Sequence, residues 1–289
     1  MAEILKELLH IFKHPVLETL KMAPILFLAY LFMEWLEHAD EGKMARFVHK
    51  SRRFGPLFGS ALGLVPQCGF SGAIASMYAA GTVTVGTLLA VFLTTSDEML
   101  PMLISANFSA SIILLILGIK LVIGLIVGFV ADLITRKTNH EKKQDIHSFC
   151  EREHCSCNDG IFLSALKHTL KILLIILIIS IGLHFLVDHI PQDTFKSILN
   201  FPVLSEIFAA AIGLIPNCTV SVLFTQLYLD GTLGIGPMLC ALLSNGGVGL
   251  LVLYRTNYNR KANVIITLIL FLSGLLFGSL AGLIFDGIL

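Results

Sequence analysis

Four apolar runs, each long enough to cross a bilayer as a helix, are spread along the chain at about 15–36, 108–134, 162–187 and 262–286; roughly 20 residues suffice for one crossing. Such runs recur almost to the last residue, so they are not a single anchor on a soluble body. Only 14% of the 289 residues are charged and 55% are hydrophobic, against about 25% charged in a soluble domain. The 20 basic residues balance the 20 acidic ones, which gives no electrostatic attraction to nucleic acid. The apolar content excludes disorder, and six cysteines are too sparse for a secreted disulfide scaffold. The chain reads as an all-α integral membrane protein, with the lipid bilayer as a partner. Ahead of the first run, Ile4, Leu5, Leu8, Leu9 and Phe12 share one helix face with the lysines off it. Residues 1–14 therefore read as an interfacial helix, not a cleaved signal.

Two further apolar intervals, 57–105 and 202–254, are interrupted by small and polar residues. Gly-Leu-Val-Pro-Gln-Cys-Gly (63–69) lies in the first and Gly-Leu-Ile-Pro-Asn-Cys-Thr (213–219) in the second. The flanking pieces are about 10–13 residues, half a bilayer each at 1.5 Å per residue. Proline removes a backbone donor and glycine loosens the helix, so broken helices or re-entrant hairpins are expected. The two intervals are also copies. Sliding the sequence by 150 residues aligns Gly63 with Gly213, Pro66 with Pro216, Cys68 with Cys218 and Ser71 with Ser221. Tyr78, Gly81, Thr82 and Gly86 then fall on Tyr228, Gly231, Thr232 and Gly236, and Gly124-xxx-Gly128 on Gly274-xxx-Gly278. Composition bias aligns leucines by chance, but not these residues at one offset. Residues 15–135 and 162–289 are tandem transmembrane repeats, joined by a linker at 136–161.

Charge sets the orientation. Loops 37–56, 135–161 and 255–261 are rich in Lys and Arg, whereas 188–200 has only Lys196. The positive-inside rule puts the first three in the cytoplasm and the last outside. Each repeat must then cross an odd number of times, which inverts the second copy relative to the first. Inverted-topology repeats with paired broken helices are the architecture of secondary transporters, whose substrate site lies where the breaks meet.

At the first break of each copy, Gln67, Cys68, Asn217 and Cys218 would face one another across the pseudo-twofold axis, with Pro66 and Pro216 as the helix breakers. Thiolates suit soft or borderline ions and metalloids, and amide oxygens suit harder ions. The bland alternative is a proline kink beside a small buried hydrophobe. The second break reads Thr94-Thr95-Ser96-Asp97-Glu98 in one copy and Ser244-Asn245-Gly246-Gly247 in the other. These hydroxyls and the Asn245 amide could complete the substrate cage, with Asp97 or Glu98 carrying a coupling proton. An intramembrane carboxylate is a functional candidate by default. The alternative places 94–98 in an interfacial loop, with Ser96 and Asp97 as helix caps. Both readings stand on sequence alone.

Lys120 sits near the middle of its apolar run, about 18 Å from either end and beyond snorkelling range. It calls for an acidic partner or a wet cavity, and Asp97, Glu98 and Glu34 are the acids considered. A static ion pair between helices is the competing account. The linker holds His140, His147, Cys150, His154, Cys155 and Cys157, a density of N and S donors suited to a cation such as zinc. Its spacing matches no standard finger, so it reads as a metal-capture tract on a polar linker. The GxxxG stripes permit close helix approach; packing inside the chain is the expected use, and a homodimer face the other.

The duplicated Gly-Leu-(Val/Ile)-Pro-(Gln/Asn)-Cys break, the Tyr-x-x-Gly-Thr after it and the His/Cys linker resemble a family of ten-span bacterial and archaeal heavy-metal exporters, often labelled manganese transporter or arsenic efflux permease. The likeness covers nearly the whole chain. It implies an inner-membrane exporter of a metal ion or metalloid and carries Pro66, Gln67, Cys68, Pro216, Asn217 and Cys218 as its site. The linker here is short for a His-rich one. No Walker motif is present, so ATP is not the direct energy source, and no cofactor is called for. An intramembrane lipid-phosphate enzyme would need convergent Arg, Ser and His, and neither break contains Arg or His. An ion channel would share the scaffold but need no titrating acid.

Overall fold

The computed structural model describes residues 54–138 apart from 68 and 97, then 161–188 and 202–285, and before these 16, 20, 23–28, 30 and 31. Every element among them is an α-helix. In chain order they are α1 (54–63), α2 (Gly69–Ala79), α3 (Val85–Thr94), α4 (Met99–Ser105), α5 (Ala110–Thr138), α6 (Ile161–Asp188), α7 (Pro202–Gly213), α8 (Cys218–Leu229), α9 (Ile235–Ser244), α10 (Gly247–Thr256) and α11 (Arg260–Phe285). The N-terminal helix expected at 1–14, the loop at 37–53 and the linker ligands His140, His147, Cys150, His154, Cys155 and Cys157 lie outside the described residues, as does Glu34.

Helix starts and stops follow local chemistry. Thr84 caps α3, its hydroxyl accepting from the Thr87 nitrogen at 3.1 Å. Asn217 caps α8 by accepting from the Thr219 nitrogen at 3.0 Å. Gly81 and Gly231 hold φ of 76° and 67° in matched turns, a left-handed region that glycine enters without a Cβ penalty. Helices α7 to α11 repeat the order, and nearly the lengths, of α1 to α5. Four stretches have the length and apolar composition to cross a membrane: Val85–Ser105 (α3 with α4), Ala110–Thr135, Ile235–Thr256 (α9 with α10) and Arg260–Phe285. Leu204–Gly213 and Cys218–Leu229 are apolar but short. The chain is a multi-pass membrane protein.

Each half is built around its third helix. A β-carbon on Gly55 would meet Thr87, one on Gly59 Thr87 and Val91, and one on Gly63 Val91 and Thr94. The contacts advance together, so α1 and α3 lie side by side and point the same way. Helix α5 packs on α3 in the opposite sense: Gly124 faces Thr94 and Ala90, Gly128 faces Ala90 and Gly86, and Asp132 reaches Thr84 and Gly86. The second half copies this, with Gly213 against Ala241, Gly274 against Ser244 and Cys240, and Gly278 against Cys240. A β-carbon on Gly278 would sit 2.6 Å from the Cys240 nitrogen, so both GxxxG stripes are consumed by packing within the chain, as small residues allow.

The halves interlock through their shorter helices. Helix α2 packs on α10 and α4 on α8. A β-carbon on Gly249 would lie 2.6 Å from Phe92 and 2.7 Å from Ser71. The rings of Phe108 and Tyr228 lie 5.7 Å apart. Phe92, Leu93, Leu242 and Leu243 are among the fully enclosed side chains at this junction. The residues left exposed, such as Leu114, Val122, Leu133, Leu268, Leu272 and Leu283, form apolar stripes on α5 and α11, as helices facing lipid require.

Candidate functional site

The first breaks are built identically. Gln67 donates its backbone N–H to the Val65 carbonyl at 2.7 Å, and Asn217 donates to Ile215 at 2.7 Å. These tight turns follow Pro66 and Pro216, whose rings cannot donate to the preceding helix. Gln67 is half-buried and Pro66 exposed, while Asn217 and Cys218 are buried. The Asn217 amide oxygen accepts from the nitrogen and hydroxyl of Thr219, both at 3.0 Å, so it holds the start of α8. The Cys218 thiol, in no disulfide, lies at that helix start, and Cys68 lies outside the described residues. The proposed thiol pair is thus seen from one side.

The second breaks lie deep inside the protein. Thr94, Thr95 and Ser96 are buried, as are Ser244 and Asn245. The Thr94 hydroxyl donates to the carbonyls of Ala90 at 2.7 Å and Val91 at 3.2 Å; Thr95 donates to Val91 at 2.7 Å and Ser96 to Thr94 at 3.1 Å. Asn245 turns its oxygen to the Gly247 nitrogen at 2.8 Å, and Gly247 takes a φ of 55°. The Ser244 hydroxyl is buried with no hydrogen-bond partner among the described residues. Asp97 lies outside the described residues. Glu98 takes the N-cap position of α4, half-buried, and makes no capping bond through its side chain.

Lys120 marks the depth of this break. It is completely enclosed and donates to the Thr95 carbonyl from the middle of α5. Ten residues of helix separate it from Ala110, about 15 Å at 1.5 Å per residue, half the thickness of a bilayer core. The 94–96 stretch is thus buried beside the middle of α5. The partner expected from sequence was an acid. The described bond is to a backbone carbonyl, one of those that a helix end leaves without an intrahelical donor; Asp97 and Glu34, two of the acids considered, lie outside the described residues.

Two acids and one thiol that sequence reasoning passed over prove to be built in. Asp132 is buried and accepts from the Thr84 hydroxyl and the Gly86 nitrogen, both at 2.8 Å, so α5 caps α3. Glu206 of α7 accepts from Ser279 of α11 at 2.5 Å, and the Ser279 hydroxyl lies 3.9 Å from the Cys240 sulfur. A signal was present for both acids, since each is the lone acid inside an apolar helix. No group of three His, Cys, Asp or Glu comes together among the described residues. Among the described residues, the polar groups at the breaks are hydroxyls, amides, carbonyls, the Lys120 amine, the Glu98 carboxylate and the Cys218 thiol.

Fold and site together define a helical, multi-pass membrane protein with duplicated halves and paired helix breaks. Residues 22–190, more than half the chain, match the family model described as "Putative, 10TM heavy-metal exporter", and the chain belongs to this family. No curated protein and no solved structure matches it.

Proposed function

We propose that the protein is a secondary transporter that exports a heavy-metal ion or metalloid, of manganese or arsenic type, across the plasma membrane. The observation that carries this reading is the packing of the two breaks of each half against one another in the buried interior. Gly63, at the end of α1, lies against Thr94, and Lys120 reaches Thr95; Gly213 likewise lies against Ala241 near the end of α9. Because α1 and α3 point the same way, α2 has to return between them. Helices of ten and eleven residues that enter and come back form a re-entrant hairpin with Pro66 at its tip, matched by Pro216 in the second half. From α3 onward the half crosses twice, through α3 with α4 and back through α5. Adding the first span gives three crossings, so the second half is inverted.

This topology agrees with charge. It places 37–56, 135–161 and 255–261 on one side, all rich in Lys and Arg, as a cytoplasmic face requires. Transport then proceeds by alternating exposure of the central site to the two faces. Cys68, Cys218, Gln67, Asn217 and the breaks at 94–96 and 244–245 hold the substrate, Asp97 or Glu98 carries the coupling proton, and Lys120 balances that charge. The linker captures metal on the cytoplasmic side with His147, Cys150, His154, Cys155 and Cys157.

A tolerance panel in an efflux-deficient bacterial host tests the reading. Expression should raise resistance to at least one of manganese, zinc or arsenite, and Cys68→Ser/Cys218→Ser should abolish it. Resistance that survives the double substitution removes the thiols from the site. Flux through proteoliposomes that continues with no ion gradient coupled to it would make the protein a channel, and no resistance to any of the three would end the exporter reading.

A further inference from the structure

The two second breaks are matched by the repeat but differ in what fills them. At each, a helix ends and leaves carbonyls without intrahelical donors, near the negative end of its dipole. In the first half that end is occupied, because the Lys120 amine donates to the Thr95 carbonyl. In the second half the residue matched to Lys120 is Leu270, also fully buried. The helices keep the same register: Gly124 faces Thr94 just as Gly274 faces Ser244. A hydrocarbon thus replaces the amine beside the carbonyl end of α9.

The side chains at the breaks differ in the same sense. The Thr94 hydroxyl is spent on the carbonyls of its own helix. The matched Ser244 hydroxyl, packed on Gly274 one turn from Leu270, is buried without a hydrogen-bond partner among the described residues, a state it shares with Ser60 of α1 and Thr225 of α8. A buried hydroxyl left unbonded is unfavourable unless a ligand completes it. Asn245 is fixed beside it by the Gly247 nitrogen, its amide oxygen retaining a second lone pair.

We propose that, of the two second breaks, the one at 244–246 alone holds the transported cation, a divalent ion met there by the Ser244 hydroxyl, the Asn245 amide and the freed α9 carbonyls, and that Lys120 is a resident ammonium closing the matched break at 94–96 to that ion. This rests on the transporter reading above and narrows it by taking the hydroxyls of 94–96 out of the substrate site. Neutral oxygens bind a metal ion loosely, and a transport site has to let its ion leave. A lysine ammonium is a compact cation with three donors, so it satisfies one helix end permanently where an ion would do so only transiently.

Calorimetric titration of the full-length protein in detergent with Mn2+ tests the assignment, since contributions from the linker are common to all variants. Lys120→Met should add one equivalent of bound ion relative to the wild type. Leu270→Lys should weaken binding at least tenfold by placing an ammonium in the second break, and Ser244→Ala about tenfold. Should Leu270→Lys fail to fold, Lys120→Met and Ser244→Ala still decide. Unchanged stoichiometry in Lys120→Met, with affinity within twofold in Ser244→Ala, would overturn the assignment. If the wild type still carried Mn2+ into vesicles, the transporter reading would survive that result. A wild type that neither binds nor carries Mn2+ would overturn the divalent-ion assignment and the manganese branch of the function together.

Discussion

The breaks at 94–96 and 244–246 began as copies and now differ side chain by side chain. In the first, three hydroxyls are bonded to backbone carbonyls and Lys120 holds the helix end. In the second, a hydroxyl is unbonded, Leu270 replaces the lysine and glycines follow. The scaffold around them has hardly diverged, because Gly124 and Gly274 still press on the same helix position. Duplication preserved the backbone geometry, and substitution at a few buried positions changed what fills it. The ends of the halves differ in the same way. Asp132 caps α3, but Gly282 and Gly234 stand where its counterpart and that of Thr84 would be.

The largest effects should come from attacking what the halves share. Gly278→Ala would put a β-carbon 2.6 Å from the Cys240 nitrogen and 2.7 Å from its Cα. Backbone cannot yield as a side chain can, so a loss of about 3 kcal/mol or more is expected from thermal unfolding in detergent. Gly128→Ala, facing a Gly86 carbonyl at 2.8 Å and an Ala90 Cβ at 3.0 Å, should cost less. Gly118→Ala, with nothing within 4 Å, should be neutral or stabilising by up to about 1 kcal/mol. Equal losses at all three would show that these helices do not approach as described.

Next in size is Asp132→Ala, which removes two hydrogen bonds and an interhelical cap and should cost about 2 kcal/mol. Hydrogen exchange should rise at the start of α3 and not at the start of α9. Ser279→Ala, which leaves the Glu206 carboxylate short of a donor, should cost about 1–2 kcal/mol in the same unfolding assay. The smallest difference is the sharpest comparison. Thr94→Ala loses a bonded hydroxyl and a methyl packed on Gly124 and should destabilise by about 1–2 kcal/mol. Ser244→Ala in metal-free protein should be neutral or slightly stabilising, because its hydroxyl is unbonded. A loss in Ser244→Ala as large as in Thr94→Ala would mean that Ser244 has a partner after all.

Much of the fold was legible because its signals are local or periodic. Apolar runs announced α5, α6 and α11, and Pro66 and Pro216 announced helix ends that do occur there. Gly124, Gly128, Gly274 and Gly278 pointed to close contacts within the chain. The candidate site was legible less evenly. Lys120 was singled out by its depth in an apolar run, and its bond to the Thr95 carbonyl was not legible because a backbone carbonyl carries no residue-type signature. Asp132, Glu206 and Cys240 were passed over because their partners lie 46, 73 and 39 residues away in sequence. Asn217 was read as a substrate ligand, and its amide oxygen is engaged in capping α8.

What the sequence determined by itself was the solvent and the repeat. Bilayer-length apolar runs leave no other medium, since unpaired backbone in lipid is too costly for anything but helices, and an ungapped offset of shared Pro, Cys and Gly residues fixes the duplication. Only the tertiary structure decided which hydroxyls are spent, which helix end Lys120 fills and where its counterpart is missing. Those outcomes depend on how side chains from distant segments meet in a dry interior, where one partner more or less decides the energy of a polar group.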